Sequence, residues 1–201
     1  KHQQECLKKI QNQNYIISGM LKIPCGGGKT LIGLKITELV AGNVLIVTTS
    51  HVSTEQWYNA LCSNFHICNA NVFKLTNLES FDNQKLRNAF LENIPIICIA
   101  TYHNLTIVQQ HSPLSENILV NLRAFEYRAI ILDEAQCVPA TCFQKVSTLC
   151  YNSIFGLSAT FMREDGKDNI FGEIMGPMHV DININDLIKK GIVAKVERCT
   201  V

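Results

Sequence analysis

The segment IPCGGGKT, at residues 23–30, decides the fold. It follows an apolar, β-branched run at 15–23 and leads into a helix-like run at 29–40. Three successive glycines let the backbone turn sharply, so that amide N–H groups and the positive end of the next helix face an anion. A strand, a glycine-rich turn and a helix in this order predict a phosphate-binding loop. The alternative, a glycine-rich turn with an exposed lysine, is less favoured because of this context.

The side chains of this loop suit nucleotide chemistry. Lys29 supplies a positive charge for β- and γ-phosphates, and the Thr30 hydroxyl is a hard oxygen ligand for Mg²⁺. Ile23 stands where the full pattern has its first glycine, so the loop is a variant of that pattern. Cys25 is interpreted as a buried or spacer thiol first and as a redox-sensitive thiol second. The residues predicted here to bind ATP are Pro24, Cys25, Gly26, Gly27, Gly28, Lys29 and Thr30.

Apolar runs alternate with helix-length stretches along the chain. The predicted strands cover 15–23, 44–49, 94–100, 129–132 and 154–157, and the predicted helices cover 29–40, 54–63, 83–92 and 139–150. Several runs, such as VLIVTT and IPIICIA, are apolar without alternation, which strands covered on both faces require. The sequence therefore predicts an α/β fold with a central, mostly parallel sheet and helices on both faces. We expect a single domain at 1–201, with 161–201 as its C-terminal extension.

The segment RAIILDEAQ places two carboxylates at the end of an apolar strand, where a parallel sheet opens its ligand crevice. Asp133 is expected to hold Mg²⁺, directly or through water. Glu134 is expected to orient and deprotonate the water that attacks the γ-phosphate. Lys29, Asp133, Glu134 and Gln136 form the predicted catalytic set. For a lone Asp-Glu pair, a solvated strand end or a helix cap is the alternative.

A third segment, SIFGLSAT, repeats the layout of an apolar strand followed by a polar loop. Its Ser158 and Thr160 carry short hydroxyls that can bridge the carboxylate site to a neighbouring surface. Ser158, Ala159 and Thr160 are therefore predicted to couple hydrolysis to movement. Alone, this tripeptide would be a weak signal.

Composition excludes several classes of protein. With 47% hydrophobic and 17% charged residues in 201, the chain is not disordered, and no apolar run reaches the roughly 18 residues that cross a membrane. A net charge of +1 allows nucleic-acid binding only through a local strip. Nine cysteines, an odd number without CxxC, indicate reduced intracellular thiols rather than disulfides or zinc.

Together these segments resemble superfamily 2 helicases, and within them the XPB-type helicases of transcription initiation and nucleotide excision repair. The resemblance covers nearly the whole chain and rests on IPCGGGKT, TTSHVSTEQW, IATYHNL and GLSATFMREDGK followed by IFGEIMGP. It implies a RecA-like domain that binds ATP and Mg²⁺ and acts on nucleic acid, DNA rather than RNA. The implied partners are a second RecA-like domain and a transcription or repair complex, without a membrane. The implied location is nuclear in a eukaryote, or a replication site for a viral protein.

The resemblance also assigns residues. Gln3, in HQQECLKKI, stands in place of a glutamine that recognises adenine, and Gln136 stands where the family usually has histidine, which leaves the subfamily open. The residues that fall in nucleic-acid segments are Thr49, Ser50, Gln56, Thr101, Tyr102, Arg163, Glu164 and Asp165. The last three form the family's RED element, which could equally be a solvated turn. Trp57 is a candidate for stacking on a nucleic-acid base, but its helical spacing from Leu61 favours packing inside the domain.

Other functions stay open. The chain could belong to a related translocase, such as a viral transcription-termination or recombination helicase. It could instead be a P-loop kinase, a nucleotide-dependent binding switch, or a nucleotide-binding remnant without turnover. Motors of superfamily 2 cleave ATP between two RecA-like domains, and 201 residues leave no room for a second. We therefore expect residues 1–201 alone to bind ATP weakly, hydrolyse it slowly and fail to unwind a duplex.

Overall fold

The computed structural model describes most of the chain. The described residues are 2–12, 15–64, 72–75, 83–106, 122–138, 142, 145–162 and 169–194. The helices are α1 His2–Ile10, α2 Lys29–Val40, α3 His51–Asn64, α4 Asn83–Leu91, α5 Tyr102–Thr106, α6 Asn169–Met175 and α7 Ile184–Lys189, with a short 3-10 turn at Ala135–Cys137. The strands are β1 Gln11–Asn12, β2 Tyr15–Ile16, β3 Gly19–Lys22, β4 Val44–Thr48, β5 Val72–Leu75, β6 Ile97–Thr101, β7 Glu126–Asp133, β8 Cys150–Ser158 and β9 Met178–Asp181.

Seven strands form one sheet in the order β5-β6-β4-β7-β8-β3-β9, and every neighbouring pair is parallel. β1 and β2 form a separate antiparallel pair. Because all seven strands run the same way, their last residues meet at one edge, which we call the carboxyl edge; their first residues form the amino edge. The predicted α/β fold with a parallel sheet is confirmed.

Both faces of the sheet are covered, as strands without alternation require. In β4, Leu45 and Val47 belong to one buried cluster, whereas Val44 and Ile46 belong to the other. Helices α1, α2 and α3 contribute to the second cluster, and α4, α5 and α6 contribute to the first. The apolar runs therefore lie between two helical layers, and the polar residues that follow each strand are left at the carboxyl edge.

The helix after the glycines has the predicted bounds. α2 covers Lys29–Val40, and Gly28 precedes it in the left-handed conformation at φ 87°. Its residues Ile32, Leu34 and Ile36 are fully or almost fully buried. The helix ends where Ala41 also adopts a left-handed conformation, at φ 44°. The helix start is therefore fixed at the point that a phosphate loop requires.

Other predicted elements differ from the structure. The strand predicted at 15–23 is interrupted, because the Ser18 side chain accepts the N–H of Ile154 (3.0 Å) between β2 and β3. The helix predicted at 139–150 was too long at its end, since Cys150 already begins β8; residues 139–141 and 143–144 lie outside the described part. Strands β5 and β9 were not predicted. No helix in the described ranges is long and apolar enough to cross a membrane.

Candidate nucleotide site

The glycine-rich loop joins β3 to α2 and needs its glycines for two reasons. Gly26 and Gly28 have φ of 75° and 87°, a region that residues with a side chain rarely occupy. Gly27 is buried, and a Cβ there would lie 2.9 Å from the carbonyl oxygen of Pro24. The resulting backbone cradle leaves Cys25 exposed at its rim. These features fit a loop whose main chain, rather than side chains, surrounds an anion.

The first turn of α1 covers this loop. The His2 Nε2 atom lies 2.9 Å from the carbonyl oxygen of Gly27. A Cβ on Gly28 would lie 2.5 Å from Gln3 Nε2, so the Gln3 amide is directly beside the loop. This position is compatible with the predicted contact between Gln3 and adenine, which stays a prediction.

The lysine of the loop and the carboxylate motif are in contact. Lys29 Nζ donates to Glu134 Oε1 at 2.5 Å, with side chains 12% and 31% exposed. Glu134 has a left-handed backbone at φ 49°, an unusual conformation for a residue with a side chain. Such strained positions concentrate at functional sites. Lys29 and Glu134 lie 105 positions apart in the sequence, and a partly buried ion pair joins their side chains.

The contacts continue from Glu134 to the end of β8. Gln136 Nε2 donates to Glu134 Oε2 at 3.0 Å. The Ser158 hydroxyl lies within hydrogen-bonding distance of Gln136 Oε1 and accepts the Thr160 N–H at 2.9 Å. We call the series Lys29, Glu134, Gln136, Ser158 and Thr160 the coupling chain. It brings together the side chains of Lys29, Glu134 and Gln136, predicted for catalysis, with the Ser158 side chain and the Thr160 backbone of the segment predicted for coupling.

Asp133 is held from three sides at the end of β7. Its Oδ2 accepts the indole N–H of Trp57 at 2.8 Å, and its Oδ1 accepts the Glu134 N–H at 3.2 Å. The Tyr102 hydroxyl donates to the Asp133 carbonyl oxygen at 2.7 Å. Burial raises the pKa of Asp133, and the Glu134 charge adds to this, whereas the Trp57 hydrogen bond and the Lys29 charge oppose it. Burial also raises the pKa of Tyr102 well above its ordinary value.

The donor set at this edge fits Mg²⁺ bound with a nucleotide. Mg²⁺ in such sites takes one or two protein oxygens and completes its octahedron with phosphate and water oxygens. Asp133 and Thr30 offer one carboxylate and one hydroxyl. Within the described ranges, no group of three or more His, Cys, Asp or Glu side chains forms a metal cluster. The assignment of Mg²⁺ to Thr30 and Asp133 stays a prediction.

The predicted nucleic-acid residues fall into three groups. Thr49, Ser50 and Gln56 are exposed, and Ser50 accepts the Ser53 N–H through its hydroxyl at 3.2 Å, which caps α3. They lie at the carboxyl edge, next to the end of β4. Arg163, Glu164 and Asp165 lie outside the described residues.

Thr101 and Tyr102, the remaining group, point into the domain. They are 2% and 4% exposed. The Thr101 hydroxyl bonds to Asn104 and the Tyr102 hydroxyl to Asp133. In this structure neither hydroxyl faces solvent, so a contact with nucleic acid, which stays a prediction for both, would require each to leave its present partner.

In the described part of the chain, clefts lie at both edges of the sheet. A cleft of about 730 Å³ adjoins the phosphate loop and is lined by residues including Lys22, Cys25, Ala159 and Asp181. A smaller one of about 390 Å³ lies at the amino edge. The first cleft adjoins Cys25 of the phosphate loop and Ala159 of the Ser-Ala-Thr segment, so it is the candidate entrance for a ligand.

Two residues make contacts with Asp133 that the sequence did not predict. Trp57 was predicted as a packing residue; it is 1% exposed, and in addition it bonds to Asp133. Tyr102 was predicted to touch nucleic acid, yet it supports the backbone of Asp133. The sequence signal for Trp57 was a tryptophan among mostly polar residues at the start of a helix. It could not reveal the hydrogen-bond partner, Asp133, which lies 76 positions away.

A parallel sheet with a phosphate loop, an Asp-Glu pair and a bonded Ser-Ala-Thr segment at one edge defines a RecA-like helicase ATPase domain. Comparison with known families agrees. The family described as Type III restriction enzyme, res subunit, matches residues 1–163. The chain belongs to this family, and it is the N-terminal RecA-like domain of a superfamily 2 helicase related to XPB.

Curated relatives are similar over nearly the whole chain. The chain is 33% identical over 199 residues to the helicase/translocase subunit XPB of general transcription and DNA repair factor IIH from Enterocytozoon bieneusi, covering 98% of this chain and 32% of that protein. It is 30% identical to the corresponding subunits of Schizosaccharomyces pombe and Saccharomyces cerevisiae, covering 98% of this chain in each case. The chain spans 24% and 22% of those two proteins.

Solved structures share the fold at low identity. The Type ISP restriction-modification enzyme LlaGI, in complex with a DNA substrate mimic, gives a TM-score of 0.68 at 17% identity, covering 96% of this chain and 20% of that one. The Hef helicase domain of Pyrococcus furiosus gives 0.64 at 17%, covering 90% and 36%. The UvsW helicase of bacteriophage T4 gives 0.61 at 17%, covering 88% and 58%. At this identity the likeness establishes the fold alone.

Proposed function

We propose that this chain is the first motor domain of an ATP-dependent nucleic-acid helicase or translocase. It binds ATP with Mg²⁺ at the carboxyl edge and works with a second RecA-like domain. The observation that carries the proposal is the coupling chain, which joins the phosphate-loop lysine to the end of β8 through bonded side chains. A nucleotide site that only stored a ligand would not need this connection.

Each residue of the site has a role in this proposal. The phosphate loop and Lys29 bind the β- and γ-phosphates, and Gln3 contacts adenine. Thr30 and Asp133 hold Mg²⁺, which when bound neutralises phosphate charge. Glu134 accepts a proton from the water that attacks the γ-phosphate. In this structure Lys29 bonds to Glu134 at 2.5 Å. The phosphates must therefore replace Glu134 as the partner of Lys29 before this carboxylate can act as a base.

The coupling chain gives Gln136, Ser158, Ala159 and Thr160 the task of transmitting the state of Glu134 to the neighbouring domain. The Gln136 amide has both ends occupied, with its nitrogen bonded to Glu134 and its oxygen to Ser158. A shift of Glu134 therefore changes the hydrogen bonding of Ser158 at once. Removing the Ser158 hydroxyl breaks this route and leaves the catalytic residues in place.

For the nucleic acid, we propose contacts from Thr49, Ser50 and Gln56 to the sugar-phosphate backbone, with Thr101, Tyr102 and the RED residues in the same track. Such contacts position a strand without reading its sequence. DNA is favoured because similar proteins are described as DNA repair factor subunits, and LlaGI was solved with a DNA substrate mimic. By the same likeness, we propose that the protein acts inside the cell, in a transcription or repair assembly.

ATP hydrolysis by the full-length protein tests this function. We expect turnover that depends on Mg²⁺ and rises at least tenfold with single- or double-stranded DNA. Glu134→Gln should abolish the stimulated rate, and the matched control Lys35→Ala, an exposed position on α2, should preserve it. Stimulation by RNA instead of DNA would indicate a related translocase. Tight ATP binding with no stimulated turnover would overturn the motor in favour of a binding switch.

A further inference from the structure

We infer that Trp57 is a positioning residue for the metal site: its indole N–H fixes the Asp133 carboxylate in the orientation that receives Mg²⁺. The inference deepens the proposed function and rests on it for the identity of the cation. It assigns a task to a side chain on α3, outside the phosphate loop and the carboxylate motif.

The hydrogen bonds of Asp133 carry the first step. Trp57 Nε1 donates to Oδ2 at 2.8 Å, and the Glu134 N–H donates to Oδ1 at 3.2 Å. The Oδ1 and Oδ2 atoms of Asp133 thus accept from different donors. Together these two hydrogen bonds fix the rotation of the carboxylate about the Cβ–Cγ bond. A hydrogen bond from a neutral donor fixes direction without removing the negative charge that a cation needs.

The second step is the rigidity of the donor. Trp57 is 1% exposed and its ring packs against Gly33 of α2, where an added Cβ would lie only 3.0 Å from the ring atom Cζ3. The same Cβ would lie 3.2 Å from Leu157 of β8. The indole therefore fills a slot between α2 and the sheet, and its N–H cannot turn away from Asp133 without displacing one of them.

The third step concerns energy. Asp133 is 9% exposed, so the folded protein holds this carboxylate largely away from water, which disfavours its charge. A donor at 2.8 Å offsets part of that cost. Partners that orient metal ligands in this way commonly change metal affinity by about 10- to 100-fold when removed. We expect an effect of that size from the loss of the indole N–H.

Nuclear magnetic resonance tests the hydrogen bond without nucleotide. The chain contains one tryptophan, so its indole N–H gives a single resonance in a 15N-labelled sample. We expect this proton to exchange slowly with solvent, and Asp133→Asn to shift the resonance and speed its exchange by roughly tenfold, since a charged acceptor becomes neutral. A resonance that is unmoved by Asp133→Asn overturns the inference.

ATP affinity with and without Mg²⁺ tests the role. Trp57 is replaced by benzothienylalanine, which keeps the ring shape and exchanges the N–H for sulfur, and separately by Phe. We expect both variants to bind ATP in EDTA as the parent does, but to lose about 10- to 100-fold in Mg²⁺ affinity. Tyr58→Phe is the matched control, because Tyr58 follows Trp57 on α3 and contacts Lys74 instead.

The outcomes separate this inference from the proposed function. A full-length parent protein that does not bind ATP at all overturns both. A parent that binds ATP more tightly with Mg²⁺, beside a benzothienylalanine variant with the same Mg²⁺ dependence, overturns the positioning role alone. Equal losses in EDTA and in Mg²⁺ make Trp57 a packing residue only and overturn it as well.

Discussion

The two edges of the sheet use polar side chains in different ways. At the amino edge, the Asn43 side chain accepts the Ile96 N–H at 3.0 Å and donates to the Glu126 carbonyl oxygen at 3.1 Å. One side chain thus satisfies the backbone groups of two other segments. At the carboxyl edge, Glu134 bonds to the side chains of Lys29 and Gln136, and Ser158 bonds both to the Gln136 side chain and to the Thr160 backbone. Backbone partners are permanent, whereas side-chain partners can be exchanged when a ligand arrives. We therefore expect a substitution at Asn43 to affect mainly stability and a substitution at Glu134 to affect mainly chemistry.

The largest effect is expected at the carboxyl edge. Glu134→Gln keeps the size of the side chain but removes the base, and proton transfer by a positioned group contributes about 100- to 10,000-fold. We expect a loss of that order in kcat, measured as phosphate release by the full-length protein, with ATP affinity changed by less than about threefold. Unchanged turnover would make Glu134 irrelevant to hydrolysis and turn the domain into a nucleotide-binding remnant.

The next prediction compares the interior with the rim of the phosphate loop. Burial raises the pKa of Cys98 from 9.0 to about 12. The reactive species is the thiolate, so at pH 8 the Cys98 thiolate is about 1,000-fold scarcer than for an ordinary thiol. Mass spectrometry after N-ethylmaleimide treatment should find Cys25, which is exposed, alkylated long before Cys98. Added Mg²⁺·ATP should slow the Cys25 reaction; equal rates at the two cysteines would contradict the buried interior.

A smaller effect is expected at the amino edge. Asn43→Ala leaves the Ile96 N–H and the Glu126 carbonyl without their partner, which costs about 1 to 3 kcal/mol of unfolding free energy. Urea denaturation followed by circular dichroism measures this loss. ATP affinity at 20 °C should stay within about twofold, because the nucleotide site lies at the other edge. A large loss of affinity in a folded variant would mean that the two edges are not separate.

The smallest effect belongs to neither edge. Lys35 and Glu38 form an ion pair at 2.5 Å on the outside of α2, with side chains 56% and 51% exposed. Water screens such a pair, so Lys35→Ala should change the unfolding free energy by no more than about 0.5 kcal/mol. The same denaturation measurement checks this, and a loss above 1 kcal/mol would assign the pair a role that its exposure does not suggest.

The sequence was sufficient where local chemistry determines structure. α2 has the predicted bounds because three glycines end the preceding segment and buried Ile32 and Ile36 follow one helical turn apart. The centres of β4, β6, β7 and β8 were predicted from apolar runs, since burial on both faces leaves that composition in any parallel sheet. The order of the phosphate loop, the carboxylates and the Ser-Ala-Thr segment predicted their common edge for the same reason.

Features that depend on distant partners were not predictable. The hydrogen bond from Trp57 to Asp133 joins residues 76 positions apart, and the sequence around either residue does not indicate the other as its partner. β9 reads MHVD, a run of four residues that is too short to be recognised from its own composition and is defined as a strand by its pairing with β3. Thr101 and Tyr102 show the converse case: a family segment was found, but tertiary packing turns their side chains inward.

The position of β3 has a consequence for how the chain is assembled. This strand, which leads into the phosphate loop, pairs on one side with residues 155–158 and on the other with β9 at Met178–Asp181. During synthesis it must wait for more than a hundred later residues before it gains either neighbour, and such long-range parallel pairing is slow. The ribosome therefore releases the phosphate loop long before the protein can hold it in place. Nucleotide binding should appear among the last properties that the folding chain acquires.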